Sequence, residues 1–91
     1  RGTIRGTVTD PNGAVVTNAN VQLIDVKKGT TVRTTTTNEN GEYQFLEIEP
    51  STYQITISAA NFTELKLTDF TVEPNRNLVL DAALSVTAGT T

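Results

Sequence analysis

Asn38-Glu39-Asn40-Gly41-Glu42-Tyr43-Gln44-Phe45-Leu46-Glu47-Ile48-Glu49-Pro50-Ser51-Thr52-Tyr53-Gln54-Ile55-Thr56-Ile57-Ser58 is the stretch whose reading decides the fold. It opens on four turn-forming residues, since Asn and Gly both tolerate positive φ. Apolar and polar residues then alternate. Tyr43 and Phe45 alternate with Glu42 and Gln44, and Tyr53, Ile55, Ile57 and Ala59 alternate with Gln54, Thr56 and Ser58. Successive side chains on a strand point to opposite faces, so each run predicts a strand with one buried face. Pro50-Ser51 separates the two runs. Asn38–Gly41 lies between strand-like residues on both sides, which predicts a hairpin at that turn.

The same pattern continues outward in both directions. Ile4 and Val8 share a parity with Gly6, Val21 and Leu23 alternate with polar neighbours, and Leu65 and Leu67 flank Lys66. Leu78, Leu80, Ala82 and Leu84 form the longest alternating run, and Thr31–Thr37 is rich in β-forming threonine. Turn signals separate the runs at Asp10-Pro11-Asn12-Gly13, Lys28-Gly29, Ala60-Asn61 and Glu73-Pro74-Asn75. No stretch keeps helical spacing over the roughly 11–18 residues a helix assignment needs. Short strands that each bury one face need a second layer to bury it against. The predicted fold is therefore all-β, a seven-stranded antiparallel β-sandwich. Leu23, Tyr43, Phe45, Ile55, Ile57, Leu80 and Leu84 are its expected core.

At 91 residues the chain has room for one small domain spanning 1–91 and a modest core. It has no His and no Cys, which removes Ser-His-Asp and Cys-His catalysis, zinc and iron–sulfur ligation by those residues, and disulfides. Seven basic against ten acidic residues give a net charge of −3 and a pI near 4.7, opposing nucleic-acid binding. No apolar run reaches the roughly 20 residues of a membrane helix, so direct membrane insertion is not expected. The absence of any Met, with an opening at Arg1-Gly2-Thr3 and a small-residue tail at Thr87–Thr91, suggests a piece of a longer chain whose ends read as linker or as cut points.

The order of these pieces resembles the carboxypeptidase regulatory-like domain, akin to the Cna B-type repeat. The matching residues are Gly2–Asp10, Pro11–Val16, Ala19–Leu23 and Thr36–Phe45, followed by Leu46, Ile48, Pro50, Tyr53, Ile55, Ala59–Phe62 and the last strand. Two positions depart from the pattern, Ser51 and Asn61, where the family often has Gly. The resemblance implies a transthyretin (prealbumin)-like sandwich with an accessory, non-catalytic role in a larger protein. Threonine-rich strands and the run Asp81–Thr87 are similar to the extension that precedes the plug of TonB-dependent, Oar-like bacterial receptors. That implies a cell-envelope location, with other domains of the parent chain or a cell-envelope protein as partners, and an isolated domain that is monomeric. A carbohydrate-binding module is the alternative, resting on Tyr43, Phe45, Tyr53, Phe62 and Phe70 as potential stacking rings.

Seven groups of residues invite a chemical reading. Cna B-type domains often form an isopeptide bond, which needs a buried, uncharged Lys beside an Asn or Asp, with a buried protonated acid to relay protons. Lys27 and Lys28 fall in a turn, Lys66 faces outward by strand parity, and the first strand offers Arg5 rather than an amine. Thr36, Asn38, Asn40, Gly41 and Glu47 fall at the ligand offsets of an EF-hand loop, but Thr36 lacks the leading carboxylate and the flanks read as strands. Asp10 with Asn12 is a weaker oxygen cluster. Glu47 and Glu49 would point the same way on a strand, as solvent-facing charges rather than a glycosidase pair. Ser51, Ser58 and Ser85 have no His to act as base. Asn61-Phe62-Thr63 fits a glycosylation sequon, and Thr34–Thr37 reads as an exposed β-forming stretch. The expectation is no catalytic, cofactor-binding or metal-ligating residue, and no cofactor.

Overall fold

The computed structural model describes residues 1–86; the linker reading of Thr87–Thr91 lies outside them. Eight strands follow one another: β1 Gly2–Thr9, β2 Asn20–Asp25, β3 Thr30–Thr36, β4 Glu42–Ile48, β5 Ser51–Ser58, β6 Leu65–Val72, β7 Asn77–Val79 and β8 Ala82–Ala83. One sheet has the order β4-β1-β7 with β8 also on β1, and the other runs β3-β2-β5-β6. Their facing sides hold one core, in which Ile4, Val8, Val21, Leu23, Ile55, Ile57 and Leu84 are almost fully buried. Period-two alternation is visible in burial along β1, β2 and β4, as the strand pattern requires.

The expected core residues are all buried except Leu80, which is half-buried against the cluster. Its position marks a second difference. The run Leu78–Leu84 predicts one strand, whereas the chain forms two short ones, β7 and β8, both parallel to β1. Between them the backbone crosses directly over Gly6. A Cβ at Gly6 would lie 1.9 Å from the Leu80 carbonyl oxygen, so only glycine admits this path. The Leu80 N–H donates to Arg5 O at 2.7 Å, and the Thr7 N–H is taken by the Asp81 carboxylate at 2.9 Å instead of by a ladder carbonyl. Side-chain capture of that donor ends one strand and starts the next.

The hairpin predicted at Asn38–Gly41 does not form. The turn is present, but β3 and β4 belong to opposite sheets, so it carries the chain around a corner of the sandwich. Thr37 holds the corner from one side. Its buried hydroxyl donates to Val16 O at 2.7 Å and accepts the Ala19 N–H at 2.9 Å. Gly41 O holds the other side by accepting the Val8 N–H at 2.8 Å, which lays β4 on β1. The hairpins that do form are β2–β3 around Lys28-Gly29 and β5–β6.

Candidate functional site

A gathering of ionisable side chains lies at one end of the sandwich, where the β2–β3 and β4–β5 connections meet. There a groove of about 330 Å³ is lined by Arg1, Asp25, Lys28, Arg33, Glu47, Glu49 and Tyr53, among others. Glu47 and Glu49 do point the same way. Both reach one guanidinium: Arg1 contacts Glu47 at 3.1 Å and Glu49 at 3.3 Å, with all three side chains well exposed. Glu47 sits at a bulge where Gly2 pairs with Ile48 but Ile4 with Phe45, and it takes the left-handed conformation with φ 54°. An exposed arrangement of this kind contributes little stability. The guanidinium occupies the space between the two carboxylates, where a glycosidase pair would hold its substrate.

Asp25 is the group in this groove that the sequence reading missed. One carboxylate oxygen accepts the backbone N–H of Lys27 at 2.9 Å and of Lys28 at 3.2 Å, while the other accepts the Ser51 hydroxyl at 3.1 Å. Burial alone raises its pKa. The bonds from Lys28 N–H, Ser51 and Lys27 N–H, with the Lys28 charge, outweigh that and hold it below its ordinary value of 3.8. Ser51, one of the two departures from the family pattern, thus supplies a bond that glycine would not. The other departure, Asn61, adopts φ 71° and still makes the turn. The signal available for Asp25 was the spacing Asp25-Val26-Lys27-Lys28-Gly29, in which a turn-opening Asp can accept the N–H groups two and three residues on.

The remaining candidates are dispersed. Lys27, Lys28 and Lys66 are exposed, as is Arg5. Asn38 Oδ1 accepts the N–H groups of Asn40 and Glu42, both at 2.9 Å, and Asp10 Oδ1 those of Asn12 at 2.8 Å and Ala14 at 2.9 Å. These oxygens serve their own turns. Glu47 lies at the far end of β4 with Arg1, so the EF-hand offsets are not brought together. Among the described residues no group of three or more acidic side chains could hold a metal ion. Ser58 is half-buried on β5, and the Ser85 carbonyl accepts the Thr63 N–H.

Three of the five rings belong to the core. Tyr43, Phe45 and Tyr53 are at most 3% exposed, and Phe62 and Phe70 are partly buried against the core cluster. Tyr43 donates its hydroxyl to Leu80 O at 2.6 Å, and Tyr53 donates to Glu49 O at 2.5 Å. Burial, and secondarily the Asp81 carboxylate, pushes the Tyr43 phenol well up, so it remains a donor at any ordinary pH. Tyr53 is raised by burial and then by Asp25 and Glu49, with Arg33 opposing. Of the Thr34–Thr37 run, Thr34 and Thr36 are exposed as expected, whereas Thr37 is buried at the sandwich corner.

A family model for the carboxypeptidase regulatory-like domain matches residues 3–85. Among curated protein sequences none matches the chain. Solved structures with a similar fold include a cohesin–X–dockerin complex from Acetivibrio cellulolyticus (TM-score 0.74, 14% identity, 94% of this chain and 58% of that one). Catechol 1,2-dioxygenase from Acinetobacter radioresistens (0.73, 16%, 97% and 52%) is another. A third is a protein from Bacteroides uniformis described as carbohydrate-binding (0.71, 22%, 91% and 40%). At these identities the likeness is one of fold, and the chain spans well under two thirds of each of those proteins.

Proposed function

This chain belongs to the carboxypeptidase regulatory-like domain family, and on that premise we propose that it is a non-catalytic spacer or docking module of a bacterial cell-envelope protein. The finer reading is an accessory extension of a TonB-dependent outer-membrane receptor, with the receptor's other domains as its partners. The observation that carries the proposal is the employment of the polar side chains that could have done chemistry. Asn38, Asp10, Asp25 and Ser51 hold turns and strand ends, Glu47 and Glu49 hold Arg1, and Tyr43 and Tyr53 pin backbone carbonyls. Side chains committed to the scaffold favour a structural role.

The test is made on the parent protein, epitope-tagged and expressed at native level. Fractionation should place the tag with the outer membrane, and the sequence downstream of Thr91 should encode a plug and β-barrel. A tag recovered in the cytoplasm would overturn the envelope assignment. A glycan array on the isolated module separates the carbohydrate reading: no binding is expected, because Tyr43, Phe45 and Tyr53 are occupied in the core.

A further inference from the structure

Two Asn-Gly pairs stand at the apex of two turns, Asn12-Gly13 and Asn40-Gly41. The geometry points to Asn12 as a site of spontaneous modification, converted to isoaspartate and aspartate in the folded protein while Asn40 is protected. In this step the Gly13 amide nitrogen attacks the Asn12 side-chain carbonyl carbon. An N–C bond forms, the C–N bond to the side-chain amide breaks, and ammonia leaves with the amide proton. Water then opens the cyclic imide at either carbonyl. Attack on the backbone carbonyl leaves the chain running through the Asn12 side-chain carbon, with a free α-carboxylate.

Glycine is the residue that lets its nitrogen approach, having no Cβ to obstruct it. Both glycine N–H groups are tied in the folded turns, Gly13 to Asp10 O at 3.0 Å and Gly41 to Asn38 O at 2.9 Å. Reaction therefore requires local opening, and what opening disrupts differs between the two. At the first turn Pro11 through Ala14 are all exposed, and nothing lies within 4 Å of the Cβ position of Gly13. Opening it costs a few solvent-facing hydrogen bonds. At the second, Gly41 is buried beneath Val15 and accepts the Val8 N–H, with core residue Tyr43 two residues on and buried Thr37 before the turn. Opening that turn detaches the start of β4 from β1. Local opening is easiest where backbone is exposed and few apolar contacts break, so Asn12 samples the reactive geometry more often.

Modification adds one methylene to the backbone at Asn12 and one further negative charge beside Asp10, on a chain already at −3. The Asp10 carboxylate loses its fit to the N–H groups of Asn12 and Ala14, loosening the bridge between Thr9 and Val15. The effect is confined to the last residue of β1 and the turn that follows it.

The experiment incubates the folded 91-residue protein at mildly alkaline pH and maps tryptic peptides by mass, with fragmentation that distinguishes isoaspartate. Gly6–Lys27 carries Asn12 and Thr34–Lys66 carries Asn40, so the two report separately. A gain of about 1 Da is expected at Asn12 at least roughly tenfold faster than at Asn40, with isoaspartate the main product. In strong denaturant the two rates should converge, since both become exposed Asn-Gly pairs. Equal rates in the folded protein, a faster Asn40, or a preference for Asn12 that survives denaturation would each overturn the proposal.

Discussion

The turns at 10–14 and 38–42 are built alike and behave differently. In each, the leading side-chain Oδ1 accepts the N–H groups two and four residues on, and the leading N–H donates to the carbonyl four residues on, at 2.8 and 3.0 Å. Each also has a glycine at the fourth position, with φ 86° at Gly13 and 72° at Gly41. Yet Gly13 projects into open space, whereas a Cβ at Gly41 would sit 2.7 Å from the Val15 Cβ and 2.9 Å from Val8 O. One turn is a loop tip. The other is a corner of the sandwich, packed beneath residues that follow the first. Identical local hydrogen bonding thus says nothing of what a turn contributes to the fold; its neighbours decide that.

Alanine at each glycine tests the contrast most strongly. Gly41→Ala combines left-handed backbone strain with overpacking against Val15 and Val8, and should cost about 3 kcal/mol or more in urea unfolding. At Gly13→Ala only the backbone term operates, about 1 kcal/mol. Equal shifts in the unfolding midpoint would break the comparison. Asn38→Ala should cost about 2 kcal/mol, because it strips two acceptor bonds from a turn that positions β4. Asp10→Ala removes the same two bonds from a solvated tip and should cost about 1 kcal/mol. Asp10→Asn, which copies the residue at position 38, should stay within about 0.5 kcal/mol of the parent, since one side-chain oxygen is all the turn uses. A larger loss would show that the charge matters there.

A turn of different pattern, opened by Asp25 with its carboxylate accepting the N–H groups two and three residues on, sharpens the comparison through pH. Its folded pKa lies below its ordinary 3.8, so the stability it adds is present at neutral pH. That contribution is lost as pH falls below 3.8 and through the lower folded value. Asp25→Asn should therefore unfold more readily than the parent at pH 7, and the two midpoints should draw together in acid. Parallel curves from pH 7 to pH 2 would remove the charge from the account.

Much of this was legible in the sequence because strand burial leaves a period of two. Tyr43, Phe45, Ile55 and Ile57 are in the core because their parity placed them there, and Lys66 is outside for the same reason. The hairpin at Asn38–Gly41 was misread because turn chemistry is local, whereas strand pairing depends on partners far along the chain: β3 had β2, and β4 had β1. The pairing of Glu47 and Glu49 was visible in their spacing, but the Arg1 between them was not. The cap on Asp25 by Ser51 joins residues 26 apart and had no sequence signal of its own.

By itself the sequence determined that this chain is an all-β sandwich with turns at its Gly, Pro and Asn clusters. Those properties follow from side-chain alternation and from the backbone angles individual residues tolerate, both of which act over a few neighbouring residues. Only the tertiary structure decided which strands share a sheet, why Gly6 must be glycine under the Leu80 carbonyl, and which of two matching turns is buried. Each of these is set by the close approach of segments distant in the chain. Steric exclusion and hydrogen-bond capture act only once the fold has brought such segments together.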